Sequence, residues 1–184
     1  MSALMIVIAL AVVVGGWLMA TYNGLVKLRN LMQEAWSGID VQLKRRFDLI
    51  PNLVETVKGY ASHESETFQN VTNARAAVAN AGNDPAARVQ AENALTGTLR
   101  SLFAVAENYP DLKANTNFLQ LQEQLASIED EIQMARRYYN GTARDLNTSI
   151  QKFPAVLIAR QFGFKEAPFF EAEEEAKAAP KVSF

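Results

Sequence analysis

His63 is the only histidine in the chain, and it is the first residue to consider for chemistry. It is followed by Glu64, which begins the His-Glu-x-x-His pattern in which two histidines one helical turn apart bind zinc. The second ligand would have to stand at Thr67, and the chain contains no cysteine that could replace it. We therefore predict no metal site and interpret His63, Glu64 and Glu66 as a solvated surface.

Three consecutive acidic residues, Glu129-Asp130-Glu131, could supply paired carboxylates for general acid–base catalysis. They lie beside an apolar seam, where charged flanking residues are expected for structural reasons. None of the glycines forms a phosphate-binding loop, and no serine or threonine has the histidine context that would mark an activated nucleophile. We predict that the protein is not an enzyme and binds no cofactor.

A cluster of three cations, Lys44-Arg45-Arg46, stands near Asp48 and leaves two interpretations open. Cations near a helix C-terminus are favoured by the helix dipole and can form surface ion pairs. The same cluster could also contact an anionic ligand or a protein partner. The net charge of the whole chain is -2, so we do not expect binding to nucleic acid.

The N-terminal segment from Ala3 to Ala20 carries no charged residue, and the first charged side chain is that of Lys27. About 20 apolar residues are needed for a helix to cross a bilayer core of about 30 Å. The segment lacks the basic start and the small-x-small site of a cleaved signal peptide, so we predict an uncleaved anchor in the bilayer. The expected lipid-facing residues include Leu4, Ile6, Leu10, Val13, Trp17 and Tyr22.

The charges that flank the anchor predict its orientation. No basic residue precedes the span, whereas Lys27 and Arg29 follow it closely. The positive-inside rule then places the N-terminus outside and the domain in the cytoplasm. Small residues spaced four apart, at Ala11 and Gly15 and at Gly16 and Ala20, could let two copies associate as a homo-oligomer, or could simply face lipid.

Beyond the anchor, the chain is predicted to form long helices. Apolar residues at three-four spacing continue from Leu25 to Leu43, which predicts one helix from Leu4 to about Arg46. Pro51 marks the next break, as either a reversal or a kink. A second helix is expected over residues 52–81. A third should start at Pro85 with Asp84 as its N-cap, before the chain breaks again at Tyr109-Pro110.

The fourth predicted helix has the clearest periodicity, and Pro154 ends it. Residues 156–170 either pack on the base of the bundle or lie on the lipid surface. We predict an all-α fold in which a transmembrane helix (1–22) continues into an antiparallel four-helix bundle (23–165) with a coiled-coil-like seam, followed by a disordered acidic tail (166–184). The seam contains Phe118, Leu121, Leu125, Ile128, Ile132, Ala135, Tyr139, Thr142, Leu146, Ser149 and Phe153.

Several runs of residues resemble one known family. They include Tyr22-Asn23-Gly24-Leu25-Val26, the segments 34–46 and 48–54, and Glu107-Asn108-Tyr109-Pro110-Asp111-Leu112-Lys113-Ala114. The chain resembles the LemA family of bacterial membrane proteins over about residues 20–171. This resemblance implies a bacterial cytoplasmic (inner) membrane location, a cytoplasmic four-helix domain and no established enzymatic activity, and it provides no catalytic residues to transfer.

Two functional hypotheses follow. The first is a membrane-anchored scaffold that associates with itself or with an unidentified membrane-protein partner. The second is a ligand-sensing accessory subunit of a membrane enzyme or transporter, with an anionic ligand at Lys44, Arg45 and Arg46.

Overall fold

The computed structural model describes residues 2–82 and 85–170, and all the regular secondary structure in these ranges is helical. This confirms the predicted all-α class. Four of the helices are long and two are short. They are α1 (Ser2–Lys58), α2 (Ser65–Asn80), α3 (Pro85–Ala106), α4 (Pro110–Lys113), α5 (Thr116–Gln151) and α6 (Ala155–Gln161).

Helix α1 confirms the prediction that the apolar N-terminal segment continues into the rest of the protein without a break. It also continues through Pro51, so of the two alternatives for that residue the reversal is wrong. A proline inside a helix removes one hydrogen bond and costs about 3 kcal/mol. Ile50 and Leu53 on either side are almost completely buried, and their burial offsets a cost of that size.

The first reversal of the chain lies at residues 59–64, after the end of α1. The second helix therefore begins at Ser65 and not near residue 52. It ends before Gly82, whose φ of 61° is the left-handed conformation that glycine adopts at helix C-termini. The predicted start of the third helix at Pro85 is confirmed, whereas the predicted N-cap Asp84 lies outside the described residues.

Helix α5 carries the predicted seam, and the seam is buried along most of its length. Leu121 is half-buried against the hydrophobic core, while Phe153 lies beyond the end of α5 and is 81% exposed. The periodicity therefore predicted the buried face of this helix correctly as far as Leu146. The buried seam residues are Phe118, Leu125, Ile128, Ile132, Tyr139, Thr142 and Leu146.

The described residues group into two compact units. The core of the larger unit comes from residues 40–134, where portions of α1 and α5 combine with α2 and α3 around one apolar cluster. Arg46, early in the α1 portion, bonds to Glu92 at the start of α3 and to Glu129 near the end of the α5 portion. Helices α1 and α5 are therefore antiparallel in this unit, as expected for a four-helix bundle.

The smaller unit combines residues 1–39 with residues 135–169. The rings of Trp36 and Tyr139 stand edge to face at 5.4 Å, and the ring of Tyr22 lies 4.8 Å from that of Phe162. Higher residue numbers in α1 thus meet lower numbers in the C-terminal segment, so the chain runs antiparallel here as well.

The end of α6 shows how the chain turns back in the smaller unit. Gly163 has a φ of 69°, and the N–H of Phe164 donates to the carbonyl of Ala159 at 2.9 Å. With the bond from the Gly163 N–H to the Arg160 carbonyl, this is a Schellman motif, which closes a helix with a left-handed residue. The motif directs Phe164 back toward α1, where its ring lies 5.9 Å from that of Tyr22.

Residues 166–170, predicted as the start of a disordered tail, are packed in the structure. The side-chain amide of Asn147 donates to the carbonyl of Ala167 at 2.9 Å and accepts from its N–H at 2.8 Å. Ala167 and Asn147 are both buried, so this segment is fixed to α5 by a pair of internal hydrogen bonds. The rest of the predicted tail, residues 171–184, lies outside the described residues.

Ionisation of Tyr139 is expected to make the smaller unit less stable at alkaline pH. Its hydroxyl donates to the carbonyl of Pro168 at 2.8 Å, and burial raises the pKa of the phenol above its ordinary value of 10.0. The neutral phenol is therefore the form that the fold favours. Its contribution to stability is complete below pH 10 and is lost as the pH rises through the raised pKa.

We expect Tyr139→Phe to lower the free energy of unfolding by about 1 kcal/mol at pH 7, because one hydrogen bond is removed. The decline in stability above pH 10 should be shallower in this variant than in the native chain. Urea unfolding of the full chain in mild detergent, followed by circular dichroism between pH 7 and 11, measures both effects. Identical alkaline slopes for the two proteins would contradict the assignment to Tyr139.

Candidate functional site

The apolar N-terminal part of α1 is uncovered by the rest of the described chain. Among the described residues, α1 is the one helix long and apolar enough to cross a membrane, and none of its most apolar window is buried. The first fully buried side chain is that of Leu25, one turn beyond Tyr22. The predicted anchor residues are all exposed, namely Leu4, Ile6, Leu10, Val13, Trp17 and Tyr22.

Gly15 and Gly16 lie on this uncovered part of the helix. Apart from the backbone of the helix itself, no described atom lies within 4 Å of the point where a side chain would begin at either glycine. The missing side chains leave room for another helix to approach the backbone closely.

The structure does not bring together the three cations predicted as a ligand or partner contact. Lys44 is exposed and pairs with Asp48 at 3.2 Å, one turn further along α1. Arg45 is exposed and donates to the side chain of Gln42 at 3.0 Å. Arg46 is only 1% exposed. The cluster is contiguous in sequence, but its members point in different directions.

Arg46 is the centre of a buried polar cluster in the larger unit. One of its terminal nitrogens lies 2.6 Å from a carboxylate oxygen of Glu92, and the other lies 2.8 Å from Glu129 and 3.0 Å from the hydroxyl of Thr96. Glu92 is as fully buried as Arg46, whereas Glu129 is about one-third exposed. Both amino groups of Arg46 are therefore already bound to acids of the same chain.

Glu92 is bound on both of its carboxylate oxygens. The second oxygen accepts from Arg88 at 3.2 Å, and Arg88 also pairs with Asp40 at 3.1 Å. The cluster thus connects α1, α3 and α5 through charge-assisted hydrogen bonds. Breaking such a buried pair leaves an uncompensated charge, so the cluster fixes how these three helices fit together.

Helical spacing could have indicated the partners of Arg46. Arg46 falls on the buried face of α1, in a series with Ile39, Leu43, Ile50 and Leu53 at alternate steps of four and three. Glu92 begins the corresponding series of α3, which continues through Leu95, Leu99, Leu102 and Ala106. A charged residue at a core position on each of two helices predicts a buried pair.

A cavity of about 380 Å³ lies beside this cluster, between α3 and α5. Its size is at the lower end of the range for small-molecule sites. The walls are mainly apolar, and the polar groups at its edge come from the same ion-pair cluster and its neighbours. The lining includes Arg46, Thr96, Leu99, Phe103, Leu125 and Glu129.

His63 is exposed, in agreement with its interpretation as a surface residue. Glu64 accepts a hydrogen bond from the hydroxyl of Tyr109 at 3.2 Å. Burial of Tyr109, together with this hydrogen bond, raises the pKa of its phenol above 10.0. In residues 2–82 and 85–170, no group of three or more acidic or histidine side chains is arranged to hold a metal ion.

Comparison with known proteins shows one family. Residues 35–184 match the LemA family. Protein LemA of Metamycoplasma hominis is 30% identical over 152 residues, which cover 83% of this chain and 69% of that protein. The magnetosome protein MamQ 2 of Paramagnetospirillum magneticum is 27% identical, over 98% of this chain and 76% of that protein. MamQ of Magnetospirillum gryphiswaldense is 24% identical, over 90% of this chain and 70% of that protein.

Proposed function

The chain belongs to the LemA family, and from that premise we propose that it serves as a membrane-anchored helical scaffold without catalysis of its own. In this proposal the N-terminal part of α1 crosses the cytoplasmic membrane of a bacterium. The helical units then hold the protein's own copies, or a membrane-protein partner, at the membrane surface.

One observation carries this proposal. The apolar window of α1 is wholly uncovered, yet the same helix continues without a break into packed protein from Leu25 onward. A fully exposed apolar surface of this length is stable only in lipid or against another apolar surface. A helix shared by the membrane and the folded protein suits an anchor that holds a bound protein at a fixed distance from the bilayer.

The orientation in this proposal follows from the charges beside the span. Lys27 and Arg29 follow the apolar window, while residues 1–26 carry no basic side chain. Basic residues are retained on the cytoplasmic side, so the N-terminus is placed outside and the helical units inside the cell. A reporter fused to either end, active on only one side of the membrane, would test this assignment.

Self-association through the open glycine face of α1 is the most direct test of the scaffold. We expect Gly16→Leu to weaken dimerisation of the full chain by about tenfold, which corresponds to about 1.4 kcal/mol. The added side chain would hold the helix backbones apart, whereas within the same chain its Cβ would have open space around it. Native mass spectrometry in mild detergent measures the fraction of dimer.

Val14→Leu is the matched control, since Val14 is also exposed, lies on nearly the opposite side of the helix from Gly16, and the change also enlarges an apolar side chain. It should leave the fraction of dimer unchanged. A native chain that is entirely monomeric and carries no partner would count against the scaffold. An equal loss of dimer in both variants would show that the glycine face is not the contact.

The alternative of an anionic ligand at Lys44, Arg45 and Arg46 has less support from the geometry. Both amino groups of Arg46 already bind Glu92 and Glu129, and Arg46 is almost inaccessible. A ligand would meet only Lys44 and Arg45, which are exposed and have partners on their own helix. The structure therefore favours the scaffold over the ligand-sensing role.

A further inference from the structure

The C-terminal part of the smaller unit exposes an unusual number of large apolar side chains. Phe153 is 81% exposed, Leu157 is 60% exposed and Phe162 is 59% exposed. They lie in and around α6, whose other side is buried through Ile158 and Ala159. Single exposed apolar residues are common, but three of this size within ten residues form a surface that water does not favour.

Along the axis of α1, this surface lies beside the end of the apolar span. The ring of Phe162 is 4.8 Å from that of Tyr22, which follows the uncharged run by two residues. Phe164, on the next turn of chain, contacts the same tyrosine and lies under the guanidinium of Arg29, 5.1 Å from its ring centre. The position of α6 relative to the span is thus set by direct contacts within one compact unit.

The charges around this surface are mainly positive. Residues 152–165 contain Lys152, Arg160 and Lys165 and no acidic residue, and the acid that follows, Glu166, bonds to Gln151 at 2.8 Å. The facing part of α1, residues 21–33, contains Lys27 and Arg29 and again no acidic residue. An exposed apolar surface bordered mainly by cations is the pattern of a segment that lies on an anionic lipid surface.

We propose that α6 and its flanking residues rest in the headgroup layer of the bilayer that α1 crosses, with Phe153, Leu157 and Phe162 inserted among anionic lipids. The inference depends on membrane insertion of α1, which is part of the proposed function, but not on self-association. Lys152, Arg160 and Lys165 bind the lipid phosphates in this arrangement. The protein then contacts the membrane at two places, through a span and through a surface element.

The dimensions support lipid as the occupant of this surface. The headgroup layer is about 5–8 Å thick on each side of the apolar core. Tyrosine prefers this layer, and Tyr22 is the last aromatic residue of the span. A ring only 4.8 Å from Tyr22 therefore falls within the same layer. A protein partner would have to displace lipid from this position before it could cover Phe162.

Fluorescence quenching in vesicles tests the proposal on the full chain. Trp17→Phe and Trp36→Phe together remove both native tryptophans, and Phe162→Trp then places a single tryptophan on the surface. The vesicles contain phosphatidylglycerol and phosphatidylcholine with brominated acyl chains, which quench only nearby indoles. Tyr138→Trp in the same background is the matched control, because Tyr138 is similarly exposed but neighbours Tyr139, which packs against Trp36.

Trp36 lies 14 residues beyond Tyr22, or about 21 Å along the helix. We expect bromolipid to quench the Phe162→Trp variant at least about threefold more strongly than the Tyr138→Trp variant. Leu157→Trp, also on α6, should behave like Phe162→Trp and provides a second position if the first variant folds poorly. Replacing phosphatidylglycerol with neutral lipid should weaken the quenching at both α6 positions.

Three results would overturn the proposal. Equal, weak quenching at residues 162 and 138 would show that α6 is in water. A blue-shifted but unquenched Phe162→Trp variant would show that protein covers the surface. Equal quenching in neutral and anionic vesicles would remove the role of the cations.

A chain that retains only Trp17 distinguishes failure of this proposal from failure of the anchor. Trp17 should be quenched whenever α1 is inserted, whatever α6 does. Loss of quenching at Trp17 as well as at residue 162 would overturn membrane insertion itself and this proposal with it. Loss at residue 162 alone would overturn only the placement of α6.

Discussion

Replacing Glu92 with alanine is expected to lower the free energy of unfolding by about 3–5 kcal/mol. The change leaves Arg46 buried with one of its two carboxylate partners missing, and Glu129, the partner that remains, is partly exposed to solvent. It also removes a carboxylate oxygen from Arg88. Urea unfolding of the full chain in mild detergent, followed by far-ultraviolet circular dichroism, measures the change.

Arg45→Ala is the matched control, because this arginine is adjacent to Arg46 but exposed, and its bond to Gln42 lies on one helix. It should change the stability by less than about 0.5 kcal/mol. The double change Arg46→Met with Glu92→Leu should recover much of the loss, since apolar residues can replace a buried ion pair without leaving a charge unpaired. A loss below about 1 kcal/mol for Glu92→Ala would contradict the importance of the cluster.

The second large effect is expected at Asn147. Its amide group satisfies both the N–H and the carbonyl of Ala167, so Asn147→Asp would place a carboxylate oxygen against a buried carbonyl. We expect a loss of about 2–4 kcal/mol, from one missing hydrogen bond and from the buried, unpaired charge. The loss should be local, because Asn147 holds the segment after α6 against α5.

Limited digestion with trypsin measures this release directly. Lys165 is exposed but lies in the segment that Asn147 fixes, so cleavage after it should be slow in the native chain and faster in the Asn147→Asp variant. Gln151→Ala is the control, since its bond to Glu166 is exposed. Unchanged cleavage in Asn147→Asp would show that other contacts hold the segment in place.

The sequence predicted the elements whose signals are local and repeated. The continuous apolar spacing from Leu25 to Leu43 predicted the long first helix, and the three-four seam predicted the buried face of α5. The Pro85 start of α3 was equally clear, because proline suits the first position of a helix. Each of these predictions depended on residues close together in the chain.

Predictions that depended on distant contacts were less successful. A reversal at Pro51 was one of two alternatives, but the helix continues there because burial on both sides outweighs the local cost. Residues 166–170 were assigned to the tail by composition, although Asn147 holds them by hydrogen bonds across 20 residues. Arg46 was grouped with its neighbours in sequence, whereas its partner Glu92 lies on another helix.

The arrangement of the two units has a consequence for the order in which the chain folds on the ribosome. Most of the larger unit is one unbroken stretch, residues 40–134, to which Phe170 is added later, whereas the smaller unit needs residues 1–39 and residues 135–169 together. At about 5–20 residues per second, synthesis of the intervening stretch takes roughly 5–20 s. Throughout that time residues 1–39 lack the second part of their unit. The smaller unit is therefore begun first, but it is completed only after residues 40–134 have been made.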